Sequence, residues 1–257
     1  MCGTCGCQSE NSTVHLHTPE QETIQVSEPH HHPHRSLKIE QSILAKNDHL
    51  AHQNQHYFAD HHLYVLNIVS SPGSGKTTLI TKTIEQLKSQ VRVGVIVGDL
   101  ATDNDAQRLR STGVPVVQIT TGTLCHLEAA MIRQAAAQLP LDTLDLLIIE
   151  NVGNLVCPSG YDLGEDMKVV LVSVTEGDDK PLKYPGMFRR SSVMIINKID
   201  MLELCDFDME TVRRNALQIN GDLKIFEMSC RTGEGLELWY DWLKSLVAEK
   251  KEQLINA

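Results

Sequence analysis

Ser70-Ser71-Pro72-Gly73-Ser74-Gly75-Lys76-Thr77-Thr78 puts small residues, one lysine and two threonines into a short run after an apolar stretch. Small residues let successive backbone N–H groups turn inward around phosphate oxygens, and a following helix N-terminus adds its positive end. On that reading Gly73, Ser74 and Gly75 form the cradle, and Lys76 reaches the β- and γ-phosphates. Thr77 ligates Mg2+, and Thr78 continues the helix start. The strict pattern has Gly at position 70, where Ser stands. A glycine-rich structural turn is the alternative, and it leaves Gly-Lys-Thr at a strand–helix junction unexplained.

Asn197-Lys198-Ile199-Asp200 follows a later apolar run. A carboxylate at Asp200 accepts from both guanine N1–H and N2–H2, whereas adenine would leave it unpaired and desolvated. Asn197 and Lys198 complete the segment, with Lys198 lying along the base plane. Ser229-Cys230-Arg231 after the last apolar run fits a loop closing over the base. Base-edge matching therefore favours GTP and GDP over adenine nucleotides. Alone, the tetrapeptide reads equally well as a surface loop; its place after a strand gives it weight.

Glu150-Asn151-Val152-Gly153 also ends an apolar run. An acid there can hold the Mg2+ shell, and Gly153 can offer its N–H to the γ-phosphate. Asp99 is a second carboxylate aimed at the same crevice, as a Mg2+-shell or water-positioning group. Asp103 and Asp105 read as helix-start charges. Lys76, Asp99 and Glu150 are thus the candidate catalytic groups. None is an assured general base, so slow hydrolysis by a regulatory switch is expected.

Three further clusters suit metals. Cys2-Gly3-Thr4-Cys5-Gly6-Cys7 offers three thiols within six residues. With Met1 removed, the terminal amine completes a set of three sulfurs and one nitrogen; a planar site of that kind suits Ni2+, with Zn2+ the alternative. His30-His31-His32-Pro33-His34, with later histidines, reads as a low-affinity store, or else as an expression tag. Cys125-His126 is expected just inside a helix capped by Thr123. Its expected partner is Cys157, in a segment that should respond to the γ-phosphate. Cys125, His126 and Cys157 give three ligands, and a symmetric dimer would combine two sets. Cys205 and Cys230 have no nearby metal-ligand partner and read as structural thiols.

The elements that must position these residues follow a strand–helix alternation. Apolar runs at 63–69, 93–97, 114–119, 144–149, 169–174, 193–196 and 223–228 have the Val, Ile and Leu content of buried parallel strands. Polar helical segments lie between them, for example 77–90 and 123–138, and a last helix spans 235–251. The fold class is α/β: a doubly wound, mostly parallel sheet of the P-loop NTPase kind. Two regions are expected. Residues 1–35 form a disordered metal-binding segment rich in Cys and His, and 36–257 form the GTPase domain with a leading helix over 36–58. In that helix Leu37, Leu44, Ala51 and Phe58 repeat every seven residues, leaving His49, His52 and His56 in solvent.

Composition narrows the classes. A net charge of −10 argues against nucleic acid as a partner. No apolar run reaches the ~20 residues of a membrane helix, and no secretion signal is legible, so a cytoplasmic location is expected. Seven cysteines then read as ligands or buried thiols rather than disulfides.

Taken together, these motifs resemble the HypB family of GTPases, which help insert nickel into [NiFe]-hydrogenase. The resemblance covers about residues 36–257 plus the Met1–Cys7 motif. It rests on Cys2–Cys7, Ser70–Thr77, Gly98–Asp105, Thr121–His126, Glu150–Cys157 and Asn197–Asp200. It implies a GTP-dependent homodimer of the SIMIBI class and, in some members, a tight nickel site at the N-terminal cysteines. It implies a nickel or zinc site at the dimer interface, matched by Cys125, His126 and Cys157. The implied partners are a HypA-type metallochaperone and the hydrogenase large-subunit precursor. Rival readings are a urease-type nickel accessory GTPase, a cobalamin-enzyme chaperone GTPase and a nickel storage protein with a vestigial nucleotide loop.

Overall fold

The computed structural model describes the backbone of residues 33–255 and the side chains of 42–253. The Cys2–Cys7 motif and the His30–His32 part of the histidine run lie outside the described residues. Seven strands form one sheet: β1 (Tyr64–Ser70), β2 (Val93–Asp99), β3 (Val116–Thr120), β4 (Leu146–Gly153), β5 (Met167–Ser173), β6 (Val193–Asn197) and β7 (Lys224–Glu227). Their order is β3-β2-β4-β1-β5-β6-β7, and every pairing is parallel. The helices are α1 (Pro33–Asp60), α2 (Lys76–Leu87), α3 (Asn104–Arg110), α4 (Ala129–Ala136), α5 (Lys180–Lys183), α6 (Pro185–Arg190), α7 (Met209–Ile219) and α8 (Leu236–Ile255).

The strand residues alternate between two cores because successive side chains leave opposite faces of a pleated chain. Leu66 and Ile68 of β1 pack with α2, α3 and α8, where Leu79, Ile84, Leu109 and Trp239 are buried. Val65, on the other face, packs with Phe58 of α1 and Ile132 of α4. Val69 packs with Phe188 of α6 and Val212 of α7. Burial on both faces explains the unbroken apolar runs. The expected doubly wound parallel sheet is the observed one, with strand bounds shifted by up to four residues.

Helix α1 begins at Pro33, not Ser36. Proline's fixed φ suits a first helical turn, and the missing N–H costs nothing there. Ser36 therefore lies inside the helix. Ala51 and Phe58 are buried as the heptad stripe requires, and His49, His52 and His56 are exposed. Two asparagines share the buried face. Asn47 Nδ2 donates to Asp162 O at 2.8 Å and its Oδ1 accepts from Ala129 N at 2.9 Å. Asn54 Nδ2 donates to Ala129 O and Leu163 O, both at 2.9 Å. These bonds satisfy backbone groups that would otherwise be buried without partners.

Candidate functional site

The C-terminal ends of β1, β2 and β4 open onto a cavity of about 430 Å3. It is lined by Gly73, Gly75, Lys76, Thr77 and Thr78 from the loop after β1, by Asp99 from β2 and by Glu150 and Gly153 from β4. Residues more than seventy positions apart in sequence thus meet around one space, at the strand ends where α/β sheets gather ligands.

The loop is shaped by backbone constraint. Gly75 has φ 103°, and a Cβ there would come within 2.5 Å of Asn197 Nδ2; only glycine meets both demands. Helix α2 starts at the next residue, so its first N–H groups face the cavity. Lys76 Nζ donates to Ser70 Oγ at 2.9 Å. The serine that departs from the strict pattern is thus a partner of the lysine. Burial lowers the Lys76 pKa, opposed chiefly by the Glu150 charge.

Thr77 Oγ1 donates to Glu150 Oε1 at 2.7 Å. Glu150 Oε2 is buried and has no hydrogen-bond partner among the described residues. Burial pushes the Glu150 carboxyl up to about 7, with Thr77 and Lys76 opposing. A buried acceptor with an unused oxygen beside a threonine hydroxyl is a donor set that suits Mg2+. Asp99 Oδ1 accepts from Ala101 N at 2.9 Å and Thr102 N at 3.0 Å, fixing the turn that leaves β2. Asp105, in the first turn of α3, also lines the cavity, as does Arg108, which sequence reasoning missed.

The raised pKa of Glu150 sets a pH dependence. In the nucleotide-free protein the folded state keeps a proton that the unfolded chain releases, from the ordinary 4.5 up to about 7. Stability therefore falls as pH rises through that window, by roughly 3 kcal/mol at about 1.36 kcal/mol per unit. Glu150→Gln removes this contribution. Thermal unfolding from pH 5 to 8, with chelator and without nucleotide, should show the variant gaining on the parent as pH rises. A constant difference between the two would contradict the assignment.

The Asn197–Asp200 segment joins the loop after β1 through Asn197. Its Nδ2 donates to Ser74 O at 2.9 Å, and its Oδ1 accepts from Cys230 N at 3.1 Å. Asn197 is therefore a bracket between loops, and its side-chain amide is engaged with backbone rather than turned to the base. Lys198, at φ 64°, donates from Nζ to Gly73 O at 2.8 Å. Asp200 Oδ1 accepts from Ser229 Oγ at 2.5 Å, and Arg231 Nη1 lies 3.6 Å from Oδ2. The Cys230 thiol is buried and pushed up to about 11 by that burial, which suits a structural thiol. Cys205 is half-buried beside an apolar cluster.

Sequence reasoning also missed Glu176. Ser74 Oγ donates to its Oε1. Its Oε2 sits 3.2 Å from Lys180 Nζ, which in turn donates to Ser71 Oγ at 3.2 Å. Glu176 follows the end of β5, the strand beside β1. The strand-end argument used for Glu150 and Asp99 would have found it.

Cys125, His126 and Cys157 converge: their ligand atoms all lie within 4.8 Å of one another. The Cys125 and Cys157 Sγ atoms are 2.6 Å apart. His126 is buried, and neither ring nitrogen has a hydrogen-bond partner among the described residues. Burial lowers its pKa, opposed by Glu128, whose Oε1 is 3.6 Å from Nε2. Tyr161 stacks on the imidazole, ring centroids 3.9 Å apart. Two thiols and a neutral imidazole with unused nitrogens suit a borderline divalent ion. The helix expected from Thr123 does not form there. Gly122 turns the chain at φ 64°, Cys125 and His126 sit in a bend, and α4 starts at Ala129 with Glu128 as N-cap.

The two sites share structure. Gly153 lies against the phosphate loop so closely that a Cβ would meet Pro72 at 3.1 Å. The next residue, Asn154, donates from Nδ2 to Cys125 O at 3.2 Å, and Cys157 opens a short 3-10 turn, Cys157–Gly160. On the other side, Thr121 N donates to Asp99 O at 2.9 Å and Gly122 N to Leu100 O at 3.0 Å. The segments carrying Cys125–His126 and Cys157 are thus both joined to strand ends that line the cavity.

A nucleotide-binding domain model described as CobW/HypB/UreG matches residues 64–227. The hydrogenase maturation factor HypB of Escherichia coli is 51% identical over 211 residues, spanning 82% of this chain and 73% of that protein. The hydrogenase/urease maturation factor HypB of Helicobacter pylori is 46% identical over 222 residues, 85% of this chain and 90% of that one. The crystal structure of HypB from Helicobacter pylori in complex with nickel superposes with a TM-score of 0.76 at 45% identity. It covers 80% of this chain and 97% of that chain. A parallel sheet of this order, a phosphate loop at its centre and this degree of identity agree: the chain belongs to the CobW/HypB/UreG family of P-loop GTPases, on its HypB branch.

Proposed function

We propose that this chain is a nickel-binding GTPase of [NiFe]-hydrogenase maturation, in which the state of the nucleotide controls a Cys125–His126–Cys157 metal site. The observation that carries the reading is the run from Glu150 to Cys157. Within it one strand end lines the phosphate cavity, touches Pro72, bonds to Cys125 and supplies a thiol. A shift at the γ-phosphate moves that run and changes the ligand geometry.

The chain's own groups have distinct parts in this reading. Backbone N–H groups of residues 73–77 and the start of α2 hold the phosphates. Lys76 neutralises the β- and γ-oxygens, Asp200 selects guanine, and Gly153 N–H senses the terminal phosphate. Thr77 and Glu150, with Asp99 nearby, would hold Mg2+, which when bound offsets the charge of the phosphate oxygens. Asp99 is tied to its own turn and Glu150 would be committed to Mg2+ beside Thr77, so neither is free to take a proton from water. Hydrolysis is accordingly slow and serves as a timer.

Nickel is the cargo; Zn2+ is the competing ion at the same donors. One chain supplies three ligands, and a symmetric homodimer formed with GTP combines two sets. Exposed Leu100 (44%) and Val156 (58%), at the lips of the two sites, support an apolar contact there. The relatives named as hydrogenase maturation factors support a place in hydrogenase maturation, and the partners proposed there are a HypA-type metallochaperone and a hydrogenase large-subunit precursor. The working place proposed is the cytoplasm. Among the described residues no helix is long and apolar enough to cross a membrane. The N-terminal cysteines would add a separate tight nickel site. A pure storage role leaves the intact phosphate and guanine residues without purpose.

Cys157→Ser tests the coupling. Losing one thiolate, a direct donor, should weaken Ni2+ binding by more than the ~10- to 100-fold that loss of an outer-shell partner costs, with a different loss in the GDP and GTP-analogue states. Calorimetric titration of the full chain in each state measures this. Equal affinity for both nucleotide states in the parent protein would sink the proposal.

A further inference from the structure

Helix α1 carries chemistry that the nucleotide switch does not use. His49, His52 and His56 all lie on its solvent face. His52 and His56 are four residues apart, so they stand one above the other on successive turns. Their ring centroids are 4.5 Å apart and the rings are edge-on at 77°. Among the described residues neither ring makes a hydrogen bond to protein. His49, one turn earlier, has its Nε2 3.0 Å from Gln53 Nε2.

The helix beneath them is held firmly. Ala51 and Phe58 are buried on the opposite face, and Asn47 and Asn54 bond to Ala129, Asp162 and Leu163. Two imidazoles on a fixed backbone, one turn apart, need only side-chain rotation to present nitrogens to one ion. Imidazole suits Ni2+, Cu2+ and Zn2+, and a His pair at this spacing is a known helical chelate.

We propose that His52 and His56 form a second, surface metal site on α1, bidentate and completed by solvent, for Ni2+ or another borderline divalent cation. It is weaker than the buried Cys–His–Cys set because it has two neutral donors and no thiolate. Its position is specific. The residues clamped under α1 include Ala129, three positions past His126, and Asp162, five past Cys157. An ion held on the outer face of α1 therefore sits on the element that packs over the buried donors. The site does not depend on nucleotide state, so it stands or falls apart from the switch.

Diethylpyrocarbonate labelling of the full chain, read residue by residue by mass spectrometry, tests it. Ni2+ is added beyond the equivalents that saturate the tighter sites, with Mg2+ as the control ion. His52 and His56 should become protected together, at one Ni2+ concentration, and Mg2+ should protect neither. The double variant H52Q/Q55H keeps the histidine count but places its pair on adjacent residues, which point apart. Circular dichroism verifies that its helix content is unchanged. In that variant the Ni2+ needed to protect His56 should rise about tenfold or more, the chelate having been lost. His56 labelling at the same rate with and without Ni2+, or protection at an unchanged concentration in H52Q/Q55H, would overturn the site.

Discussion

Lys76→Ala should lower GTP affinity by about 10- to 100-fold and turnover by a further ~100- to 1000-fold. The first figure is the loss of a charge-assisted contact to phosphate. The second is the loss of a fixed cation where charge develops in the transition state. The lysine is buried, and Ser70 aims it from within the loop. No other cation among the lining residues replaces it from the same direction, because Arg108 enters from α3. Metal binding by Cys125, His126 and Cys157 without nucleotide should survive, while its response to GTP disappears. Fluorescent-nucleotide titration and phosphate release measure the first part, and nickel transfer to an acceptor chelator the second. Transfer that still accelerates with GTP in the variant would separate the metal site from the switch.

Asp200→Asn should weaken GTP by about 100- to 1000-fold and let xanthosine triphosphate bind in its place. In the proposed role the aspartate accepts two guanine N–H groups at once; an asparagine would present an N–H to one of them and lose the charge on the other. Xanthine carries an oxygen where guanine has its amine, so the new N–H meets an acceptor. Ser229 Oγ, 2.5 Å from Asp200 Oδ1, accepts from Arg231 N and Thr232 N and so donates to position 200; it can donate equally to an asparagine Oδ1, which leaves the amide N–H for the base. Xanthosine-triphosphate-dependent hydrolysis in the variant is the readout. Unchanged preference for GTP would mean that Asp200 does not read the base.

Much of this was legible because strong local signals and tertiary demand agreed. The buried strands announced themselves through continuous Val, Ile and Leu runs, and the phosphate loop through small residues before Lys76. The site residues on strand ends were legible for the same reason, since the sheet brings those ends together whatever the loops do. The start of α4 was not. Thr123 is chemically a good cap, yet Leu127 is wholly buried, and Gly122 turns the chain so that the helix begins later. Asn47 and Asn54 carry no motif of their own; their partners are backbone groups from distant loops. Tyr161 and Glu176 carry no motif of their own. Asn197 was legible as part of a guanine segment, but its task as a bracket between two loops depends on which backbones come near it.

The proposed linkage between nucleotide and metal also has a fixed gauge. Gly153 is pressed against Pro72 at one end, and Cys157 faces Cys125 at the other, with Asn154 pinned midway. A connecting rod this short has no slack. One added or missing residue in it would leave every donor and every phosphate contact chemically intact, and would still disengage the drive.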